Sequence, residues 1–437
     1  MKSILKKTIS FLLTLEARAI LKKYRPKIIA VTGSVGKTSA KDAIFSVMSD
    51  NFFVRKSEKS FNSDIGIPLT ILGCKNAWNN PFSWIANLFS GLEIIFISQK
   101  YPEWLILEVG ADRPGDIKSV TKWLKPDIVV ITKFAKVPVH IEYFTCRDEV
   151  VREKFYLVEA LKRDGILVLN GDDDDALDFG NKFIGKKIVY SVDTPSEVRA
   201  SNISMSYEQS SGSKILSGMN FKIDYLGNSV PINILGTVGL ASVYSALSAI
   251  AVGVSCELNL VGMGESLSKY SSPSGRMKII RGIKDSTILD DTYNSSPVAV
   301  NNALDILKNV ETKGRKIAVL GDMMELGKHS IEEHNSAGMK ASGSCDILIT
   351  VGVRSRKMAE GALSSEMDEK NIYQYDTAIE AGKELQNMIS QNDVILVKGS
   401  QSMRMERVVE ETMAEPEKAG ELLVRQDYEW RTLRNSI

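Results

Sequence analysis

Residues 27–190 alternate between short apolar runs and longer stretches with helical spacing. The apolar runs are rich in Val, Ile and Leu and are predicted to be buried strands: 27–33, 104–109, 127–132, 165–170 and 187–192. After the first run, Ala40, Ile44, Val47 and Met48 recur at helical spacing and would share one face of a helix. Strands that alternate with helices in this way indicate a parallel α/β sheet.

The last third of the chain has a second α/β pattern. Its predicted strands are 287–291, 316–320, 346–351 and 393–397. Shorter alternating runs between 200 and 235 predict a small antiparallel element that closes the first sheet. Because the loop 271–276, SSPSGR, is rich in Ser, Pro and Gly, we place a domain boundary there. The expected segments are 1–26, 27–272 and 273–437.

The first segment is predicted to be one basic amphipathic helix that ends at Pro26. Such a helix could lie on an anionic membrane surface. It could equally pack on the first domain and keep its Lys and Arg side chains in solvent.

The stretch 78–101 contains large aromatic residues, namely Trp78, Phe82, Trp84, Phe89 and Phe96. Aromatic side chains of this kind are usually buried, so we expect an internal packing helix. The alternative is a hairpin that touches a membrane.

Composition narrows the class of protein. The 437 residues are 43% hydrophobic and 25% charged, which is typical of globular proteins, and the net charge of +1 gives no general field for nucleic acid. Residues 1–27 hold eight Lys or Arg and one Glu, so the remaining chain carries about six net negative charges. The four cysteines are far apart, without metal or C-x-x-C spacing, and no secretory signal is evident. We therefore expect a cytoplasmic protein, with peripheral contact at the inner face of the membrane as an open possibility.

The segment VTGSVGKTSA, residues 31–40, lies between a predicted strand and a predicted helix. It is similar to the phosphate loop G-x-x-x-x-G-K-[ST], but Val31 stands where the first glycine is expected. Backbone N–H groups at such a turn suit a polyphosphate. Lys37 would then reach the terminal phosphates and Thr38 would bind Mg²⁺. The alternative is an ordinary glycine turn.

Three further residues are candidates on the first sheet. Glu108 ends a strand beside a glycine turn, where a carboxylate could hold a second metal ion beside the nucleotide phosphates, although it could also be a capping or surface residue. His140 follows the strand 127–132 and could contact metal or phosphate, or be structural. Lys154 lies in a helical pattern and, by pattern alone, would be a surface charge. The acidic run GDDDDALD, residues 171–178, is expected to be a solvated loop and helix start.

The second α/β pattern has three polar segments directly after its strands. ILDDTYNSSP (288–297) and AVLGDMMELG (318–327) could contact the base and ribose of a nucleotide. VKGSQSMRMERVV (397–409) contributes Lys398, Arg404 and Arg407, which suit an anionic substrate group.

Seven segments taken together resemble the Mur ligases of peptidoglycan synthesis: TGSVGKTS, FNSDIGIPLT, LEVGADRPGDI, SGRM, DDTYNSSP, VLGDMMELG and VKGSQSMRMERVV. They occur in family order from about residue 28 to about residue 410. Within the family they are most similar to the members that add D-alanyl-D-alanine to a UDP-N-acetylmuramoyl-tripeptide. Mur ligases use the form TG-x-x-GK-[ST], which accounts for the short phosphate loop.

The resemblance implies a P-loop ATPase domain with a parallel sheet, followed by a Rossmann-like C-terminal domain. It also implies a reaction in which ATP phosphorylates a peptide carboxylate and an amine then displaces the phosphate to leave an amide. The implied cofactors are ATP and Mg²⁺. The implied partners are a muropeptide precursor and D-alanyl-D-alanine. We expect the protein to be a monomer and to bind no nucleic acid.

The resemblance also assigns roles to single residues. The positions that match nucleotide-binding residues are Gly33, Ser34, Gly36, Lys37, Thr38, Ser39, Arg276, Tyr293, Asn294 and Asp322. The positions that match metal ligands are Thr38, Glu108 and His140. Lys154 matches the lysine that is carbamylated in Mur ligases, and with Lys37 and His140 it would be catalytic. Asn62, Lys398 and Arg404 match residues that face the substrates.

Two departures from the family pattern bear on the acceptor. Thr132-Lys133-Phe134-Ala135 stands where members read T-N-x-G, and the phosphate loop begins near residue 30. We therefore expect that the usual N-terminal domain for the UDP-sugar is missing and that the basic helix stands in its place. One alternative is a Mur-like ligase for a different, lipid-linked carboxylate. Another is a nucleotide-binding regulatory protein on a degenerate ligase fold.

Overall fold

The structure is a computed structural model that describes residues 2–58, 61–78, 80–134, 143–210, 213–428 and 430. The chain divides into two compact units. The first comprises Met1–Asn202, Phe221–Ile232 and Val243–Tyr270. The second comprises Ile203–Asn220, Asn233–Ser242 and Ser271–Ile437.

Elements before residue 270 alternate largely as the hydrophobic pattern predicts. The helices are α1 (Lys2–Tyr24), α2 (Lys37–Ser49), α3 (Gly66–Leu72), α4 (Pro81–Phe96), α5 (Asp116–Thr121), α6 (Arg147–Glu159), α7 (Asp174–Lys182), α8 (Leu240–Ser255) and α9 (Leu260–Ser268). The strands are β1 (Lys27–Thr32), β2 (Val54–Lys56), β3 (Trp104–Glu108), β4 (Ile128–Ile131), β5 (Ile166–Asn170), β6 (Lys186–Ser191), β7 (Val198–Ser210), β8 (Ser213–Tyr225) and β9 (Asn228–Leu235).

These nine strands of the described chain form one sheet in the order β2-β3-β1-β4-β5-β6-β7-β8-β9. The pairs from β2 to β7 are parallel, which confirms the predicted α/β sheet. The antiparallel element is larger than expected, since β7 and β8 each have 13 residues. Leu226 and Gly227 have φ of 48° and 78°, as in the tight turns that favour hairpins, and they join β8 to β9.

The strands β1, β3, β4 and β5 are buried because helices cover both faces of a parallel sheet. The predicted inner face of α2 is confirmed, since Ala40, Ile44, Val47 and Met48 are all buried. The short strand β2 was not predicted because its sequence, Val-Arg-Lys, has no apolar run.

Helix α1 packs on the first unit against α3 and α4. Leu13, Ala17 and Ile20 are fully buried on its inner side. The predicted basic helix is confirmed over Lys2–Tyr24. In the part of the chain that the structure describes, no helix is both long and apolar enough to cross a membrane.

The prediction that the aromatic residues of 78–101 are internal is wrong in part. Phe82, Phe89 and Phe96 are exposed on the outer side of α4. Trp84 lies on the inner side and packs on the core, as do Leu88 and Ile94. Aromatic content alone does not reveal which side of an amphipathic helix faces the core, because that is set by the surface available for packing.

The prediction of a fully solvated acidic run at 171–178 is also wrong in part. Asp173 is buried and accepts hydrogen bonds from the backbone N–H of Ala176 and of Phe134. Asp172 accepts from the backbone N–H of Val192 and from the Tyr244 hydroxyl. Acidic side chains near a helix start can satisfy backbone donors, and here they connect the end of β5 to its neighbours.

The second unit contains the other α/β pattern. Its strands are β10 (Lys278–Arg281), β11 (Thr287–Asp291), β12 (Lys316–Gly321), β13 (Ile347–Val351), β14 (Ile372–Tyr375) and β15 (Val394–Lys398). Its helices are α10 (Pro297–Asn309), α11 (Ser330–Ser342), α12 (Arg356–Ser364), α13 (Ala378–Met388), α14 (Glu406–Thr412) and α15 (Ala419–Leu422).

The described strands of this unit form a sheet in the order β10-β11-β15-β12-β13-β14, with β10 antiparallel and the others parallel. All four predicted strands are present and form the centre of the sheet. The edge strands β10 and β14 were missed because they are short and only partly buried. Since β11, β15 and β12 are neighbours and parallel, the polar segments that follow them lie at one edge.

Candidate active site

The segment TGSVGKTS forms the turn between β1 and α2. Gly33 has φ of 145°, and an added Cβ would lie 2.0 Å from Thr132 Oγ1, so a side chain at this position would clash. The Thr132 hydroxyl donates to the carbonyl of Val35 at 2.7 Å, and the N–H of Ser34 donates to the carbonyl of Lys133 at 2.7 Å. The end of β4 therefore holds the loop in place.

The loop presents polar groups that suit an anion. Gly36 is left-handed, with φ of 84°, and caps α2, so the N–H groups of the first helical turn lie at the loop. Lys37 Nζ donates to the carbonyls of Gly33 at 3.0 Å and Ser34 at 3.4 Å. The buried hydroxyls of Thr32 and Ser34 have no hydrogen-bond partner among the described residues. This combination fits a bound polyphosphate.

Thr38 and Ser39 follow in the first turn of α2. Thr38 is buried, as expected for a hydroxyl held at the base of a phosphate loop. Ser39 is half-buried, and its carbonyl accepts a hydrogen bond from the Tyr270 hydroxyl at 3.3 Å.

Glu108 is the last residue of β3 and only 1% exposed. Its Oε1 accepts from Asn62 Nδ2 at 3.3 Å, while its Oε2 has no hydrogen-bond partner among the described residues. A nearby positive charge comes from Lys41, which is also buried. Burial lowers the pKa of Lys41, and the carboxylates of Asp42 and Glu108 act in the opposite direction. A buried carboxylate with one unsatisfied oxygen fits a metal ligand.

The position of Glu108 is compatible with Mg²⁺ beside the phosphates. In the register of β1 and β3, Glu108 pairs with Val31, directly before the loop. Mg²⁺ usually takes one or two protein oxygens and completes its shell with phosphate and water. Thr38 and Glu108 could supply these oxygens. The described residues contain no cluster of three or more His, Cys, Asp or Glu that could hold a metal alone, and His140 lies outside them.

Lys154 is buried in α6 and 4% exposed, so the interpretation as a surface charge is wrong. Burial lowers its pKa to about 7, and the ammonium of Lys37 acts in the same direction. Glu153 and Asp112 oppose this shift. A buried lysine with this pKa has a substantial neutral fraction at neutral pH, so its nitrogen is available as a nucleophile.

The second unit brings Arg276 and Tyr293 together. The Arg276 guanidinium lies over the Tyr293 ring at 3.9 Å from the centroid. The Tyr293 N–H donates to the carbonyl of Gly275 at 3.1 Å, and the Gly275 N–H donates to Asp290 at 3.0 Å. Burial raises the pKa of Asp290 to about 6, although hydrogen bonds from Thr292 act against this shift. A half-buried aromatic–guanidinium pair of this kind suits the flat face of a base.

Lys398 ends β15 and is buried. Its Nζ pairs with Asp291 at 2.6 Å and donates to the carbonyl of Asn294 at 2.9 Å. Asp322 lies at the same sheet edge, and its carbonyl accepts from the N–H of Ser400 at 3.0 Å. Lys398, Asn294 and Asp322 therefore lie at the same edge of the sheet.

Arg404 has φ of 54° and is held by Glu406, whose carboxylate also pairs with Arg425 at 2.6 Å. The Trp430 ring lies 5.2 Å from the Arg404 guanidinium. Arg407 follows Glu406 in the sequence and is half-buried. The guanidinium of Arg404 is thus engaged by protein groups on two sides.

Sequence reasoning missed several residues that shape these sites. Glu153 accepts from the N–H groups of Gly115 and Lys118, both at 3.0 Å, and so ties α6 to the loop after β3. Arg425 donates to the carbonyls of Thr292 and Tyr293 and holds the loop after β11. The position of Glu153 directly before Lys154 in the sequence was a signal that could have identified it. The tail around Arg425 offers no pattern that would have singled it out.

Comparison with models of protein families shows which family the chain belongs to. The model of the Mur ligase middle domain matches residues 31–252, and that of the Mur ligase glutamate ligase domain matches residues 275–401. The chain belongs to the Mur ligase family. The resemblance inferred from the seven segments is therefore confirmed.

Relatives in the Mur ligase family match over most of the chain. A UDP-N-acetylmuramoyl-tripeptide–D-alanyl-D-alanine ligase of Bacillus subtilis is 27% identical over 401 residues, which cover 92% of this chain and 79% of the relative. The enzyme of the same name from Escherichia coli is 26% identical over 388 residues, covering 88% and 76%.

Solved Mur ligase structures share the fold. MurF from Thermotoga maritima in complex with ADP gives a TM-score of 0.73 at 23% identity, covering 94% of this chain and 84% of that one. A crystal structure of MurF from Acinetobacter baumannii gives 0.73 at 22% identity, covering 91% and 79%. The predicted P-loop domain followed by a Rossmann-like domain is thereby confirmed.

Proposed function

We propose that this chain is an ATP-dependent amide ligase that joins D-alanyl-D-alanine to the free carboxylate of a UDP-N-acetylmuramoyl-tripeptide. The observation that carries the proposal is the buried set at the phosphate loop. Glu108 keeps one carboxylate oxygen without a hydrogen-bond partner among the described residues. Lys154 is a buried lysine whose pKa is lowered by burial and by the charge of Lys37. Burying such groups costs folding free energy, so their presence together favours a functional role.

The chain's own groups fit the two steps of such a reaction. In the first step, a carboxylate oxygen attacks the γ-phosphorus of ATP and ADP leaves. Lys37 and the N–H groups of the loop would stabilise the charge on the transferring phosphoryl group. In the second step, the amine nitrogen attacks the acyl carbon, phosphate leaves and the amine gives up a proton.

Mg²⁺ at the phosphates would be held by Thr38, and a second metal ion would be held by Glu108 and, in the predicted set, by His140. When bound, these ions neutralise phosphate charge. The neutral amine of Lys154 can react with CO₂ to form a carbamate, whose two oxygens would support the second metal ion. The family-derived roles of Arg276, Tyr293, Asn294 and Asp322 at the nucleotide stay proposals. So do those of Asn62, Lys398 and Arg404 at the substrates.

A steady-state assay tests the proposal. Phosphate release from ATP and Mg²⁺ is measured with UDP-N-acetylmuramoyl-tripeptide and D-alanyl-D-alanine, together and singly, and products are weighed by mass spectrometry. We expect release only with both substrates, and a product heavier by the dipeptide minus water. ATP binding without stimulation by either substrate would contradict the proposed acceptor and direct the search to lipid-linked carboxylates.

A matched pair of variants separates catalysis from mere nucleotide binding. Lys37→Ala should abolish stimulated phosphate release, while Lys182→Ala, at an exposed lysine that ends α7, should leave it unchanged. Full biological activity of Lys37→Ala would instead support the regulatory alternative. We propose that the enzyme acts as a monomer on these small molecules, and a single species in light scattering would support this.

A further inference from the structure

Helix α4 presents an apolar stripe to solvent. Phe82 and Phe96 are 79% exposed and Phe89 is 67% exposed, and Ile85 and Leu92 are exposed between them. Their spacing places all five on one stripe of the helix. The inner side carries Trp84, Leu88, Ile94 and Ile95, which pack on the core, together with Asn87 and Gly91. Helix α4 is therefore apolar on both sides, whereas a helix that only completed the core would be polar on its outer side.

The orientation of α4 is fixed by α1. The Lys23 ammonium donates to the carbonyls of Ile94 and Ile95 at 3.0 Å, and so closes the C-terminal end of α4. At Gly91 the two helices approach so closely that an added Cβ would lie 2.1 Å from the Glu16 carboxylate. The outward stripe is therefore a fixed feature of the packed pair.

Helix α1 contributes a second exposed stripe in which apolar and basic residues alternate. Phe11 and Leu15 are exposed, and Lys7, Arg18 and Lys22 are exposed at the same helical spacing before and after them. Long basic side chains beside aromatic and leucine residues are typical of helices that lie in the plane of a membrane interface.

A basic cleft adjoins this stripe. Arg18 and Lys22 line it together with Arg25, Lys122, Lys125 and Lys162. None of the residues that line the cleft is acidic, although Lys162 pairs with Asp127 at 2.8 Å. The cleft therefore favours a phosphate group. It also agrees with the separation of charge along the chain, in which the first 27 residues are strongly basic and the remainder is acidic.

We propose that the outer stripes of α1 and α4, with the cleft beside them, form a docking face for an anionic lipid bilayer. The apolar side chains of α4 would enter the interface between headgroups and acyl chains. The basic side chains of α1 and of the cleft would bind lipid phosphates. Each of these two contributions alone gives weak, reversible binding, whereas their combination anchors a protein at a membrane surface.

Charge argues for a membrane rather than for a second copy of this chain. A two-fold contact through the same face would bring two strongly basic segments into one interface. Interface centres are normally depleted of lysine, and like charges there oppose association. An anionic surface satisfies the apolar and the basic stripes together. The proposal stands apart from the ligase activity and is tested without ATP.

Vesicle flotation of the full chain tests the proposal. Phosphatidylcholine vesicles are compared with vesicles that also contain phosphatidylglycerol, at low and at high salt. We expect binding to the anionic vesicles that weakens with salt, and weak binding to the neutral ones. Brominated lipids should quench the tryptophan fluorescence of the bound chain, and Trp78→Phe, at an exposed residue just before α4, should reduce this quenching.

Two triple variants separate the apolar and the basic contributions. Replacing Phe82, Phe89 and Phe96 by Ser should weaken binding to both kinds of vesicle by about 100-fold. Replacing Arg18, Lys22 and Lys122 by Gln should weaken binding to anionic vesicles by about 50-fold and leave binding to neutral vesicles unchanged. Near-ultraviolet circular dichroism checks that each variant is folded.

Matched controls carry the same chemical changes elsewhere. Ile184, Ile331 and Val353 are exposed apolar residues outside the face, and Lys182, Lys186 and Lys370 are exposed lysines outside it. Replacing the first set by Ser or the second by Gln should leave binding unchanged. Equal losses in controls and face variants would overturn the proposal. An absence of wild-type binding to anionic vesicles would also overturn the proposal. This holds whether or not the wild type forms a dimer that the triple phenylalanine variant dissociates.

Discussion

The phosphate loop and the outer side of α1 and α4 lie in the same unit but use polar and apolar residues in opposite ways. At the loop, charged groups such as Glu108 and Lys154 are buried, and apolar residues such as Ile44 pack behind them. On the outer side of α4, phenylalanines are exposed while Asn87 faces inward. Both regions depart from the usual distribution, in which apolar groups are buried and charges are exposed.

Such departures mark sites because they oppose folding. A buried charge must be offset by a partner, and an exposed apolar stripe forgoes the free energy that its burial would contribute. Function is the usual reason for retaining either. The two regions should therefore respond differently to substitution, and four predictions test this difference.

The largest effect is expected from Lys37→Ala. Removing the ammonium that faces the phosphates should lower the rate of stimulated phosphate release by about 100- to 1,000-fold. The free energy of unfolding should fall by no more than about 1 to 2 kcal/mol, because the bonds lost from Lys37 Nζ to the carbonyls of Gly33 and Ser34 lie within one partly exposed loop. Steady-state kinetics and urea unfolding measure the two quantities. A larger fall in the free energy of unfolding would mean that the loop is mainly structural.

Lys154→Met should abolish activity and yet stabilise the fold. The pKa of Lys154 is about 7 in the folded state and that of an ordinary lysine when unfolded. Its destabilising effect is therefore complete below pH 7 and fades as the pH rises toward 10. Without bicarbonate, we expect the variant to be about 1 to 3 kcal/mol more stable than the wild type at pH 6, with a smaller difference at pH 9.

Urea unfolding at the two pH values gives these differences. Lys182→Met, at an exposed lysine, is the control and should show no pH-dependent gain. A loss of stability in Lys154→Met at pH 6 would show that the lysine is held by favourable contacts.

Glu16→Gln tests a buried acid that lies between α1 and α4. Burial raises the pKa of Glu16 to about 7, and its Oε2 has no hydrogen-bond partner among the described residues. Since the folded pKa exceeds the unfolded value, wild-type stability should fall as the pH rises from about 4.5 to 7. The glutamine variant should lack this fall and be the more stable form at pH 8.

Thermal or urea unfolding at pH 5 and pH 8 measures the change. Glu93→Gln alters an exposed acid on α4 and should leave the pH dependence as it is. An unchanged slope in Glu16→Gln would assign the pH dependence to other groups.

The smallest effect is expected from Phe89→Ser. Because this side chain is exposed, its replacement should change the free energy of unfolding by no more than about 0.5 kcal/mol. Leu13→Ala, at a fully buried position of α1, should cost about 2 to 5 kcal/mol. The two values come from the same urea titration. A cost for Phe89→Ser close to that of Leu13→Ala would remove the contrast between the two regions.

The sequence by itself determined where the buried strands lie along the chain and which polar segments follow them. Runs of Val, Ile and Leu identified the buried parallel strands, because a strand covered on both faces must be apolar throughout. The polar segments after these strands then located the phosphate loop, Glu108 and the residues around Asn294 and Lys398. Local composition suffices here because strand, turn and helix N-terminus are all set within a few residues.

Only the tertiary structure decided which side chains are buried and which ionisable groups have a shifted pKa. Lys154 reads as a surface lysine, and it is the packing of α6 that removes its water and lowers its pKa. Phe89 reads as a core residue, and it is the close approach of α1 at Gly91 that turns it outward. Burial depends on contacts between segments far apart in sequence, and local periodicity does not contain that information.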